Sequence, residues 1–209
     1  MAVHFTGPIL HAGKDGSRKW FSNLPITASP DYVVYMDDFT GIALDATNDW
    51  TVVKDSSASA ALGADVESGA LVLSSQATTD NDGASVQGNE IFAVNADRDV
   101  WFETKLTPTD AEGSNMDICV GLTVNFATNP EAMLAAADRI VFQVNDGDSN
   151  ILCKTEKDGT ETSTDSGIDI ASGTAVTLGF HVTNTSSVEF FVNRLLVATH
   201  TANIPDDEN

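Results

Sequence analysis

From Asp31 onward the sequence is a succession of short β-rich runs, each closed by a cluster of Gly, Asn or Asp. Runs of this length suit strands and fall short of helices, and their β-branched and aromatic content fits a pleated, half-buried surface. They are Tyr32–Met36, Trp50–Val53, Ala70–Leu73, Val100–Leu106, Ile118–Val124, Ile140–Val144, Ile151–Lys154, Val176–Val182, Val188–Val192 and Leu195–Thr199. In Val100–Leu106, Trp101, Glu103 and Lys105 fall on one side, and Val100, Phe102, Thr104 and Leu106 on the other, as the two-residue period of a strand requires. This spacing and punctuation predict an all-β fold, an antiparallel β-sandwich over residues 31–209. A chain of 209 residues buries roughly 70 % of its extended surface, so the core needs no covalent staple.

Two hairpins are readable. Asn145-Asp146-Gly147-Asp148 joins the runs at 140–144 and 151–154 and contains an Asp-Gly pair, which favours tight turns. Asn193-Arg194 separates the last two runs, and Asn accepts the positive φ that such a turn needs. One stretch breaks the β pattern. Asn129-Pro130-Glu131 followed by Ala132-Met133-Leu134-Ala135-Ala136-Ala137 supplies a cap, a first-turn proline and strong helix formers, and predicts a short helix of about two turns in a long loop.

Charge sets the partners. Ten Lys+Arg stand against 31 Asp+Glu, a net charge of −21. Nucleic-acid binding depends on cations displacing counterions from phosphates, and anionic membranes attract the same cations, so neither is an expected partner. The opening MAVHFTGPILHAGKDG has no charged region leading into a long apolar stretch and does not read as a secretory signal. No apolar run approaches the length of a membrane-spanning helix. Cys119 and Cys153 are too few for a disulfide framework, and two buried thiols are the plainer reading.

Lys14, Arg18 and Lys19 are three of the ten cations and lie in the first 19 residues. The first 30 residues also hold Gly7, Pro8, Gly13, Gly16, Pro25 and Pro30, without a clear period. They read as an extended amino-terminal arm. Exposed Phe5, Ile9, Leu10, Trp20 and Phe21 call for a partner, so the arm is expected to dock, with Lys14, Arg18, Lys19, Trp20 and Phe21 as candidate docking residues.

The sequence contains no nucleophile elbow, phosphate-cradling glycine loop or paired Cys/His metal spacing. No catalytic residue, cofactor or metal is expected. His181 and His200 lie in late strand runs and read as packed or rim histidines. Glu103 has no second acid two positions away, which argues against the paired carboxylates of a glycosidase; it reads as part of a solvated face beside Lys105. Asp146-Gly147-Asp148 with Asn145 and Asn150 is rich in oxygen, but Glu156 lies too far on to close a calcium loop. A plain hairpin is the simpler account, and Thr78–Gly83 is read in the same way. Asn184-Thr185-Ser186 matches the glycosylation triplet, which in the absence of an export signal reads as a chance match.

Five blocks together resemble a known family. They are YMDDFTGIALDATNDWTVVKD (35–55), DNDGASVQGNEIF (80–92), VWFETKL (100–106), DRIVFQVNDGD (138–148) and VEFFVNRLLVATHTANIPDDE (188–208). They are similar to the concanavalin/laminin-G-like jelly roll of structural proteins of tailed bacteriophages, notably marine ones, and GSRKWFSNLP (16–25) resembles the start of such proteins. The resemblance implies a non-enzymatic virion component on the capsid exterior, a decoration or cement protein. Its arm would contact the major capsid protein, and its jelly roll would associate with copies of itself, in trimers. The same fold class hosts lectins, so a glycan-binding module of a tail fibre or spike, recognising host-surface glycan, is the alternative. The resemblance also implies a further strand beyond Asn209, supplied by more of the chain or by a neighbouring subunit.

Overall fold

The computed structural model describes residues 35–55, 57–75, 83–109, 116–124 and 129–206. The chain divides into two units, Met1–Asp38 and Phe39–Asn209. Of the first, only Tyr35–Asp38 are described, and they form no strand. The rest of the Tyr32–Met36 run and the five candidate docking residues lie outside the described residues.

The second unit is an all-β antiparallel sandwich. Its strands are β1 (Thr51–Lys54), β2 (Ser59–Leu62), β3 (Leu71–Ser74), β4 (Ala84–Gln87), β5 (Val100–Leu106), β6 (Ile118–Thr123), β7 (Arg139–Val144), β8 (Asn150–Lys157), β9 (Thr160–Asp169), β10 (Val176–Thr183), β11 (Ser187–Val192) and β12 (Leu195–His200). One four-stranded sheet runs β12-β11-β10-β5 and the other β6-β7-β8-β9. Two ribbons, β1-β4 and β2-β3, precede them. Asp55 closes the first ribbon: its amide donates to the Gly83 carbonyl and its carboxylate accepts from the Gly83 amide at 2.8 Å.

One apolar core joins the inner faces of the two large sheets. Val100, Leu178, Phe180, Val182, Val188, Phe190 and Val192 come from one sheet, and Ile140, Phe142, Val144, Ile151 and Cys153 from the other. Four aromatics pack together in the core, three from the first sheet and Phe142 from the second. Phe142 meets Phe190 edge-on at 5.3 Å, Phe190 meets Phe180 at 6.0 Å, and Phe102 stacks on Phe180 at 4.9 Å. Such geometries add about 1 kcal/mol per pair beyond area burial. β6 and β7 approach unusually closely at Gly121, whose φ is +149°, and an added Cβ there would overlap the Ile140 carbonyl.

Both expected hairpins form. Gly147 takes φ +74° and the Asp148 amide donates to the Asn145 carbonyl at 3.1 Å. Asn193 and Arg194 take φ +50° and +67°, the double left-handed geometry that matches strand twist. Three strands are absent from the runs read in the sequence: β2, β4 and β9. The expected helix is a single 3-10 turn, Ala132–Ala135, and Ala136 is already extended, with ψ 135°. The Asn129 side chain accepts from the Glu131 amide at 2.9 Å ahead of the turn, but the N-cap position is Glu131 and no side chain caps it. An isolated helix this short is poorly nucleated, and tertiary contacts decide its form.

After β12 the chain folds back along the second sheet. Ile204 joins the core, the Ala202 carbonyl accepts from the Thr155 hydroxyl at 3.2 Å, and Asp206 pairs with Lys157 at 2.6 Å. That contact holds the Asp206 carboxyl below its usual range.

Candidate functional site

Strand alternation turns two polar faces outward, one on each sheet. On the first sheet, pairing aligns Trp101 with His181, His181 with Glu189, and Glu189 with Thr199. Because Val100, Phe102 and Phe180 enter the core, these four side chains share the opposite face. The Trp101 indole and His181 imidazole stack nearly parallel, with centroids 4.6 Å apart and planes 10° off. His181 Nε2 lies 3.3 Å from Asp99 Oδ2, and Nδ1 lies 3.6 Å from Glu189 Oε2. Asp99 also accepts from the Asn184 amide at 3.2 Å, tying the β10–β11 turn to the start of β5. In the next row Glu103 is aligned with Gly179, and Gly179 with Phe191. Arg194 reaches across from the last hairpin turn and donates through Nε and Nη2 to the two Glu103 oxygens, at 3.3 and 3.2 Å.

Trp101, Glu103 and Lys105 therefore share the face expected of them, but Glu103 is held by Arg194. No strand pattern reveals that contact, which joins positions 91 residues apart. His181 is a rim histidine, as read in the sequence. His200 is packed: Nδ1 lies 3.0 Å from Thr155 Oγ1 and Nε2 lies 3.0 Å from Thr164 Oγ1. The Thr155 hydroxyl donates to Ala202, so it accepts from Nδ1–H, and Nε2 accepts from Thr164. This arrangement satisfies the neutral ring, and burial lowers the His200 pKa.

The outer face of the second sheet carries a tighter cluster. Pairing aligns Arg139 with Glu156 and Glu156 with Glu161. The Arg139 guanidinium, almost fully buried, meets Glu156 Oε2 and Glu161 Oε2, each at 2.7 Å. Its Nη1 donates to the Met133 carbonyl at 3.1 Å and to the Leu134 carbonyl. Lys154 gives Glu161 a second partner at 3.2 Å. Two carboxylates thus converge, as acid–base chemistry on a sugar would require. Both, however, are engaged by one guanidinium, which also clamps the 3-10 turn onto the sheet. Two cations against two anions leave no net charge.

The other motifs resolve into turn chemistry. The Asp146 amide donates to Asp117 Oδ1 at 2.9 Å, and the Asn150 amide to Asp148 Oδ1 at 3.1 Å, so these carboxylates close the β7–β8 hairpin. Asn184 occupies the β10–β11 turn with φ +53°. Of Thr78–Gly83, only Gly83 lies among the described residues. Cys119 and Cys153 are free thiols, and burial pushes both up to about 12. Among the described residues no three His, Cys, Asp or Glu side chains converge to hold a metal ion, and no helix is long and apolar enough to cross a membrane.

The family model for the SO2946-like C-terminal domain matches residues 67–209. The chain belongs to that family. The matched region begins just before β3 and contains both four-stranded sheets, so the two outer faces lie within the family domain. No curated protein matches the chain.

Proposed function

We propose that this chain is a non-enzymatic structural component of a tailed-phage virion, a decoration or cement protein on the capsid exterior. Residues 1–30 would dock on the major capsid protein. The observation that carries this reading is the division of charge. Residues 1–30 hold three Lys/Arg and one acid, while residues 31–209 hold seven Lys/Arg and 30 acids. A strongly acidic body stays soluble at high local concentration, and a basic, aromatic segment suits attachment. The engagement of Glu156 and Glu161 by Arg139 supports a structural role over a catalytic one. The virion itself rests on the resemblance of the five sequence blocks to phage structural proteins.

The test is addition of purified protein to expanded heads that lack it. Saturable binding is expected, with loss on deletion of residues 1–30 or on the combined substitution of Lys14, Arg18 and Lys19 by Glu. Full binding by the deleted protein would overturn the docking role, and failure of the intact chain to bind heads would overturn the capsid assignment.

A further inference from the structure

We propose that residues 201–206 form an acid-released strap, which lifts off the β8–β9 hairpin when His200 takes up a proton while the two large sheets stay folded. The segment follows β12 and enters no strand. Side chains supply the polar contacts that hold it. The Thr155 hydroxyl donates to the Ala202 carbonyl at 3.2 Å, and Asn203 Nδ2 donates to Thr162 Oγ1 at 2.9 Å. Lys157 Nζ meets Asp206 Oδ2 at 2.6 Å. Ile204 and Pro205 are buried, whereas Thr201, Ala202 and Asp206 are exposed. A segment fastened in this way, outside any strand ladder, belongs to the part of a fold that opens at the lowest free energy.

His200 is the pin. Its Nδ1 lies 3.0 Å from the Thr155 hydroxyl that reaches Ala202, so ring, hydroxyl and strap form one hydrogen-bonded chain. Its Nε2 lies 3.0 Å from Thr164 Oγ1, which ties β12 to β9, the edge strand of the other sheet. The groups packed on the ring are Thr155 from β8, Thr164 from β9 and Phe190 from β11, the last with its ring centroid at 5.0 Å. None of them carries a charge to balance an imidazolium, and the charged pair of the strap, Lys157 with Asp206, is already matched. A proton on the closed ring is therefore held from water without a counter-charge, and burial lowers the His200 pKa. Lifting Ala202 and Asn203 returns the ring to water. The open form then binds more protons than the closed one, so acid favours it, starting below the ordinary imidazole value of about 6.5. The Lys157 contact holds the Asp206 carboxyl below its usual range. Protonating Asp206 therefore drives release in the same direction, below the ordinary aspartate value of about 3.9.

The experiment is methyl NMR relaxation dispersion on the full chain, with isoleucine labels, from pH 7.5 to pH 5. Ile204 reports the strap, while Ile140 and Ile151 report the core. A minor state is expected at Ile204, its population rising about fivefold or more across that range, with no matching change at Ile140 and Ile151. His200→Gln should abolish the rise. Asp206→Asn alters only an exposed side chain, so it remains informative if His200→Gln fails to fold; it should raise the minor population at pH 7.5 by about twofold or more. The strap would be overturned by the absence of a minor state at Ile204, by a population indifferent to pH, or by an equal rise at Ile140 and Ile151. A rise that survives His200→Gln, or a population unmoved by Asp206→Asn, would overturn it as well. The measurement involves neither residues 1–30 nor phage heads, so its outcome is separable from that of the head-binding test.

Discussion

Replacing Arg139 by Met tests whether the outer face of the second sheet is held together by its charge cluster. The Arg139, Glu156 and Glu161 side chains are 4 %, 12 % and 32 % exposed. Removing the guanidinium leaves Glu156 almost buried and without its ion-pair partner, and breaking a buried pair from one side costs about 3–5 kcal/mol. Glu161 is a third exposed and keeps Lys154, so its own loss is small. The Met133 and Leu134 carbonyls lose a charged donor, which adds about 1 kcal/mol. Together these give about 5 kcal/mol, a large part of the roughly 5–15 kcal/mol that holds a domain folded. With a urea dependence of about 2.5 kcal/mol per molar for a chain of this size, the midpoint should fall by about 2 M. Adding Glu156→Gln removes the stranded charge and should restore at least half of the loss. A single variant within about 0.5 kcal/mol of the parent would refute the reasoning, because the cluster would then be solvated and the 3-10 turn held by other contacts.

Three further outcomes follow from the core. His200 is buried neutral and its pKa is lowered, so the unfolded chain binds more protons below the ordinary imidazole value of about 6.5; stability should fall as pH drops from there through the lowered value. His200→Gln should reduce that slope by at most about 1.4 kcal/mol per pH unit, read by urea titration at pH 5 to 7.5, and an unchanged slope would refute it. Gly121→Ala should destabilise by about 3 kcal/mol, from a backbone conformation closed to side chains and the overlap with the Ile140 carbonyl; a melting temperature equal to the parent's would contradict the close approach. Native Cys119 and Cys153 should resist iodoacetamide at pH 8 and react fully in urea, as mass spectrometry can read, since the thiolate is the reactive form.

Strands whose inward residues are large were legible in the sequence. β5 matches its run residue for residue, and β7, β10, β11 and β12 each differ by one residue at a single end. β9 was not legible, because Thr160–Asp169 (TETSTDSGID) is polar on both faces and is specified by the β8 hairpin turn and its pairing. β2 and β4 are four residues each and rich in Ala and Ser, so they carry little β signal. The helix over 129–138 was over-read because local propensity was intact, while Arg139 captures two of its carbonyls. At the candidate site, the facing of Trp101 and Glu103 was visible from the period of two. The stacking on His181 and the Glu103–Arg194 pair were not, because they depend on strand order and register.

The two cysteines lie on opposite faces of one sheet with β7 between them: Cys119 is aligned with Gln143 on the outer side, while Cys153, opposite Phe142, sits in the core. A bridge between them would require the sheet to be taken apart, because disulfide geometry tolerates only a short span between facing Cβ atoms. The fold therefore neither gains a cross-link in oxygenated water nor loses one in a reducing cytoplasm. A protein built this way carries the same stability across a change of redox compartment, with no oxidative maturation step between synthesis and use.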